Sequence, residues 1–203
     1  MQLFRRLQRR WWRHRLRRPE FRFLFDPPPA GEWVAVDCET TGLDTARDEI
    51  IAIGAVRIRG QRILTSERLE LIVRPGIALS APSIRIHRLR EMDVRTGLAP
   101  EEAIRRFLEF VGNRPLVGYY LEFDVAMLDK LVRPFLGIPL PQEKIEVSAL
   151  YYDHKYRQNP NTFIDLRFME ILRDLNLPLR DEHDAFNDAL MAALAFVKLH
   201  RPA

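Results

Sequence analysis

Four carboxylates stand where a folding chain would ordinarily place apolar side chains, and no other feature constrains the architecture as much. Trp33 to Cys38 reads as a short buried strand that runs into Asp37-Cys38-Glu39-Thr40-Thr41-Gly42. Residues two apart on a strand share a face, so Asp37 and Glu39 project together with Ala35, while Val34, Val36 and Cys38 form the opposite face. Asp124 shares a helical stripe with Met127, Leu128 and Leu131. Asp188 sits among Ala185, Ala189, Ala192, Ala193, Phe196 and Val197, the stripe of a final helix that should face the core. A buried carboxylate costs several kcal/mol unless it is paired or metal-bound.

Each of these residues has a plainer explanation when taken alone. Asp37 and Glu39 suit a solvated strand end, Asp124 interacts well with the N-terminal end of a helix dipole, and His183 reads as a surface-loop histidine. Together they point elsewhere. Several carboxylates aimed at one core face repel one another unless divalent cations compensate them. Ligation by oxygen alone favours magnesium or manganese over zinc. His183 precedes Asp184, a suitable N-cap for the last helix, and a histidine beside such a site suits a general base. The expected chemistry is hydrolysis assisted by two metals, for which phosphodiesters are the usual substrate.

The remaining pattern describes an α/β domain. Ile50–Arg59 and Arg62–Val73 are rich in β-branched residues and turn at Gly60, which predicts a hairpin. Pro75, Gly76 and Pro82 punctuate a loop. Helices are expected at 101–111, 122–135, 165–175 and 184–199, with short strands at 116–117 and 145–147. Strands early and helices interleaved later imply a mixed sheet with helices packed on it. The only cysteine, Cys38, excludes an internal disulfide, a zinc ribbon and a CxxC pair, and suits a reducing cytoplasm.

Charge is distributed unevenly. The formal net charge is +4, yet residues 1–26 hold nine arginines against Glu20 and Asp26, a net of +7, which leaves −3 for the rest. Residues 1–18 interleave those arginines with Leu3, Phe4, Leu7, Trp11, Trp12 and Leu16 at helical spacing. Pro27-Pro28-Pro29-Ala30-Gly31 follows as a stiff linker. The expected division is a basic amphipathic arm with its linker, residues 1–31, and a catalytic domain, residues 32–203. The arm has three possible uses: tracking nucleic-acid phosphates, lying on an anionic membrane, or docking on its own body or a protein partner.

At the carboxylates the sequence resembles the DEDDh branch of 3′–5′ exonucleases, the group that includes the proofreading epsilon subunit of bacterial DNA polymerase III. Three motifs carry the resemblance in order: Val36-Asp37-Cys38-Glu39-Thr40-Thr41-Gly42-Leu43, then Phe123-Asp124 after Gly118, then His183 with Asp188 five positions later. The resemblance spans roughly residues 32–199. It implies an RNase H-like fold and release of nucleoside 5′-monophosphates from single-stranded DNA or RNA 3′ ends. It also implies that Asp37, Glu39 and Asp188 hold a first Mg2+ or Mn2+, that Asp124 supports a second, and that His183 deprotonates water. Thr40, Thr41 and Leu43 resemble a turn that contacts the terminal nucleotide. Where the family often has His-Asn, this chain has Tyr119-Tyr120, rings that either stack on a base or pack. The chain ends a few residues past its last helix, without the extension by which an epsilon-type subunit engages its polymerase. The competing expectation, a catalytically inactive nucleic-acid-binding or adaptor module, requires no such carboxylate set.

Overall fold

The computed structural model describes the backbone of residues 2–200 and the side chains of residues 7–200; Leu3 and Phe4 of the expected arm therefore lie outside the described side chains. In chain order the elements are α1 (Gln2–Arg15), a 3-10 turn (Pro19–Phe25), β1 (Glu32–Thr40), β2 (Ile50–Arg59), β3 (Arg62–Ile72), α2 (Ala81–His87), α3 (Glu91–Arg95), α4 (Pro100–Val111), β4 (Leu116–Gly118), α5 (Leu121–Leu136), β5 (Lys144–Glu146), α6 (Val147–Gln158), α7 (Phe168–Asp174) and α8 (Ala185–Leu199).

One five-stranded sheet, ordered β3-β2-β1-β4-β5, organises them. The β2–β3 hairpin and β1 are antiparallel, whereas β4 and β5 run parallel to β1. This follows from the connections: Gly60, at φ 56°, closes a tight hairpin, and helices carry the crossovers to the parallel strands. β1 is thus the central strand, and its two faces feed two apolar layers. Val34, Val36 and Cys38 pack with Ala103, Phe107 and Leu108 of α4 and Met127 and Leu128 of α5. Ala35 faces the other way, against Ile171, Leu172, Met191, Ala192 and Phe196.

Several expected boundaries move. The segment after Pro75 is not all loop, because Ser80 caps α2 by accepting the Ser83 N–H and Pro82 occupies its first turn, a position that loses no hydrogen bond. Val147 starts α6 rather than ending β5. The helix expected at 165–175 begins only at Phe168, after Asp165 has engaged Arg167 in a local turn.

The N-terminal segment lies on the body. Trp12 and Leu16 pack against the first apolar layer, and Phe21 and Leu24 of the 3-10 turn are part of it. The Arg17 N–H donates to Leu136 O at 2.8 Å, Arg9 to Pro141 O at 2.9 Å, and the Arg18 guanidinium lies 4.0 Å from the Phe135 ring centre. These contacts meet the C-terminal end of α5 and the segment that follows it. A 16-residue helix is roughly 24 Å long, so the arm sits far from the end of α5 that carries Asp124.

Candidate active site

Central placement of β1 puts Asp37 and Glu39 at the end of the strand with neighbours on both sides. Directly across from Asp37 in the β1–β2 register stands Gly54. A Cβ at Gly54 would lie 2.2 Å from the Ala185 carbonyl carbon, so a bare backbone there is what lets the start of α8 rest on β2. Asp184 caps that helix by accepting the Asn187 N–H at 2.9 Å. Buried Ala185, Ala189, Ala192 and Ala193 keep α8 close to the sheet, and Asp188 is carried inward with them.

The result is a tight group. One carboxylate oxygen each from Asp37, Glu39 and Asp188 lie within 4.8 Å of one another. Asp124 adjoins this group from α5. Its Oδ1 accepts the Cys38 N–H at 3.0 Å, which fixes the carboxylate beside β1 although the residues are 86 positions apart.

Electrostatics here are unfavourable by design of the fold. Burial and the charges of Asp124, Asp188 and Glu39 push the Asp37 carboxyl well above the usual carboxylate range. Glu39 is raised to about 7 by burial, then by Asp188 and Asp184. Burial raises Asp188 to about 6, although the His183 N–H, 2.9 Å from Oδ2, holds it back. Burial raises Asp124 as well, against the stabilising Cys38 N–H. The other oxygen of Asp188, Oδ1, is buried without a hydrogen-bond partner among the described residues. With two more carboxylates beside it, this group could hold a cation, and an all-oxygen donor set fits a hard divalent ion.

His183 lies on an exposed loop, itself at φ 65°, where it lines a cleft of about 170 Å³ with Glu39 and Asp184. The same cleft is lined by His87, which the sequence reading missed. His87 is 5% exposed; its Nδ1 accepts the Leu89 N–H at 3.0 Å, and its Nε2 has no partner among the described residues. The Ser80-Ala81-Pro82 start signal would have revealed α2, and with it a histidine in the last helical turn.

The turn after β1 is held by its own hydroxyls. Thr40 Oγ1 donates to Gly42 O at 2.6 Å, and Thr41 Oγ1 donates to Asp48 Oδ1 at 2.8 Å while accepting the Glu49 N–H. Leu43, 83% exposed, stands clear. Tyr119 stacks on Phe168 at 4.5 Å and donates to Leu166 O. Tyr120 is exposed, at φ 54°, with its N–H on Glu146. Both tyrosines line a separate cleft of about 510 Å³.

A mixed sheet of this order with helices packed on both faces has the RNase H-like fold. The E. coli exonuclease I complex with a dT13 oligonucleotide superposes with a TM-score of 0.69 at 15% identity, over 83% of this chain and 40% of that one. The exonuclease family RNase_T matches residues 34–196, and the chain belongs to that family. Among relatives, a PolC-type DNA polymerase III of Caldanaerobacter subterraneus is 32% identical over 83% of this chain and 12% of its own length. The DNA polymerase III epsilon subunit of Aquifex aeolicus is 26% identical over 83% of this chain and 80% of its own. The chain thus spans only about an eighth of the PolC-type relative.

Proposed function

We propose that this chain is a metal-dependent 3′–5′ exonuclease that hydrolyses phosphodiesters at single-stranded nucleic-acid ends and releases nucleoside 5′-monophosphates. The observation that carries the reading is the convergence of Asp37, Glu39 and Asp188 with a buried, unpartnered Asp188 oxygen. Asp37, Glu39 and Asp188 would hold a first Mg2+ or Mn2+, and Asp124, already oriented by the Cys38 N–H, would support a second. When bound, the cations supply charge stabilisation for the scissile phosphate and its leaving oxygen.

The chain's own groups do the rest. His183 accepts a proton from the attacking water, and its loop position beside Glu39 lets the imidazole reach the cleft. The backbone N–H of His183 holds Asp188 Oδ2, so one residue orients a ligand while presenting a base. Thr40 and Thr41 keep the turn rigid through Gly42 and Asp48, and this steadies exposed Leu43 for contact with the terminal nucleotide. The E. coli relative bound to dT13 supports a single-stranded substrate, and the resemblance to proofreading subunits supports the polarity.

Incubation of the protein with a 5′-labelled oligonucleotide and manganese tests this. A ladder shortening from the 3′ end, with mononucleotide as the released product and no reaction in chelator, is expected. Binding of the oligonucleotide without any metal-dependent cleavage would instead establish an inactive binding module.

A further inference from the structure

The inward face of α1 is accounted for: Arg9, Trp12 and Leu16, at i, i+3 and i+7, meet the body. The outward face is not. Leu7 and Trp11, at i and i+4, are 58% and 52% exposed on the opposite side of the helix. At 3.6 residues per turn, Arg10 and His14 border this apolar pair on one side and Arg15 on the other. The Arg15 guanidinium lies 4.3 Å from the Trp11 ring centre. Residues 1–18 contain no acidic residue.

We infer that the outer face of α1 is a docking surface for an anionic lipid bilayer. An exposed Leu–Trp pair edged by arginines matches what an interfacial helix presents: apolar side chains for the acyl boundary, guanidinium groups for lipid phosphates. Arginine stacked on tryptophan brings the two chemistries to the same depth. Nucleic acid fits less well, because phosphate tracking needs no outward leucine and the surface lies at the end of α5 away from the carboxylates. No described helix is long and apolar enough to cross a membrane, so the contact is with the surface. With the carboxylate end of α5 directed away from that contact, the cleft stays open to solution.

Co-sedimentation of the full chain with vesicles tests the inference. The protein should pellet with phosphatidylcholine vesicles that contain phosphatidylglycerol and stay in solution with phosphatidylcholine alone. The pair Leu7→Gln and Trp11→Gln should weaken binding about tenfold or more, and Arg10→Gln or Arg15→Gln about fivefold each. An unchanged melting temperature would show that the inward face still docks. Absence of pelleting, equal pelleting with neutral vesicles, or variants that pellet like the unmodified chain would overturn the inference. So would an oligonucleotide whose affinity falls in the arginine variants while vesicles fail to bind, which would assign the face to nucleic acid.

Discussion

The two ends of α5 solve the same problem in opposite ways. Near its first turn, four carboxylates crowd together and the charges that bear most on Asp37 are all negative. At its last turn, a cluster of arginines is also of one sign, yet each described contact there is compensated: Arg9 by Pro141 O, Arg18 by Phe135 O, the Phe135 ring and Glu101. Like charge that is buried and uncompensated favours binding of a counter-ion; like charge that is solvated or bonded to carbonyls can remain charged at a surface. Charge density alone does not separate the two.

The comparison breaks most sharply at Asp37. Asp37→Asn removes one ligand charge at nearly constant volume, so nuclease activity should fall to background while the chain stays folded. Activity within a few fold of the unmodified protein in an oligonucleotide assay would sink the site. His183→Ala should cost about 10²–10⁴ in rate, while manganese affinity by calorimetry barely changes. Loss of metal binding in that variant would make His183 a ligand rather than a base.

Gly54→Val probes the packing that creates the uncompensated group. Overpacking against the Ala185 backbone should cost about 1–3 kcal/mol in denaturant unfolding and disproportionately lower activity. Equal activity per folded molecule would show that α8 can be displaced without opening the site.

Acidity distinguishes the two ends further. Glu39 and Asp188 have folded values of about 7 and about 6, above their unfolded ones. The folded state therefore binds more protons, and the stability this contributes is present below about pH 4 and lost as pH rises through 6 to 7. Thermal melts in chelator should fall across that window and recover with manganese; a flat profile would mean the carboxylates are already compensated. The smallest effect belongs to the arm. Glu101→Gln removes an exposed partner of Arg18 and should change stability by less than about 1 kcal/mol.

Much of this was legible in the sequence where pattern and chemistry coincide. The β2–β3 hairpin lies where β-branched runs and Gly60 put it, and Asp37, Glu39 and Asp188 meet as their stripes implied. Other features depend on partners distant in sequence. Asp124 is fixed by the Cys38 N–H, a bond between residues that no local window joins. Tyr119 is held by Phe168 and the Leu166 carbonyl, which single-residue reasoning cannot anticipate. Gly54 carries no side chain to signal its role, and only the register opposite Asp37 exposes it. α6 has weak amphipathic character and gave no clear period to read.

Gly54 ties together two stretches far apart in the chain: β1 supplies two carboxylates, and α8, which must settle against β2 to supply the third, is synthesised well after it. A chain emerging from the ribosome at about 5–20 residues per second therefore exists for some seconds with Asp37 and Glu39 but no Asp188. On the proposed reading, the capacity to cleave nucleic acid arises only once α8 has been made and has packed against the sheet. On that reading the late helix would act as a safety catch, released by folding.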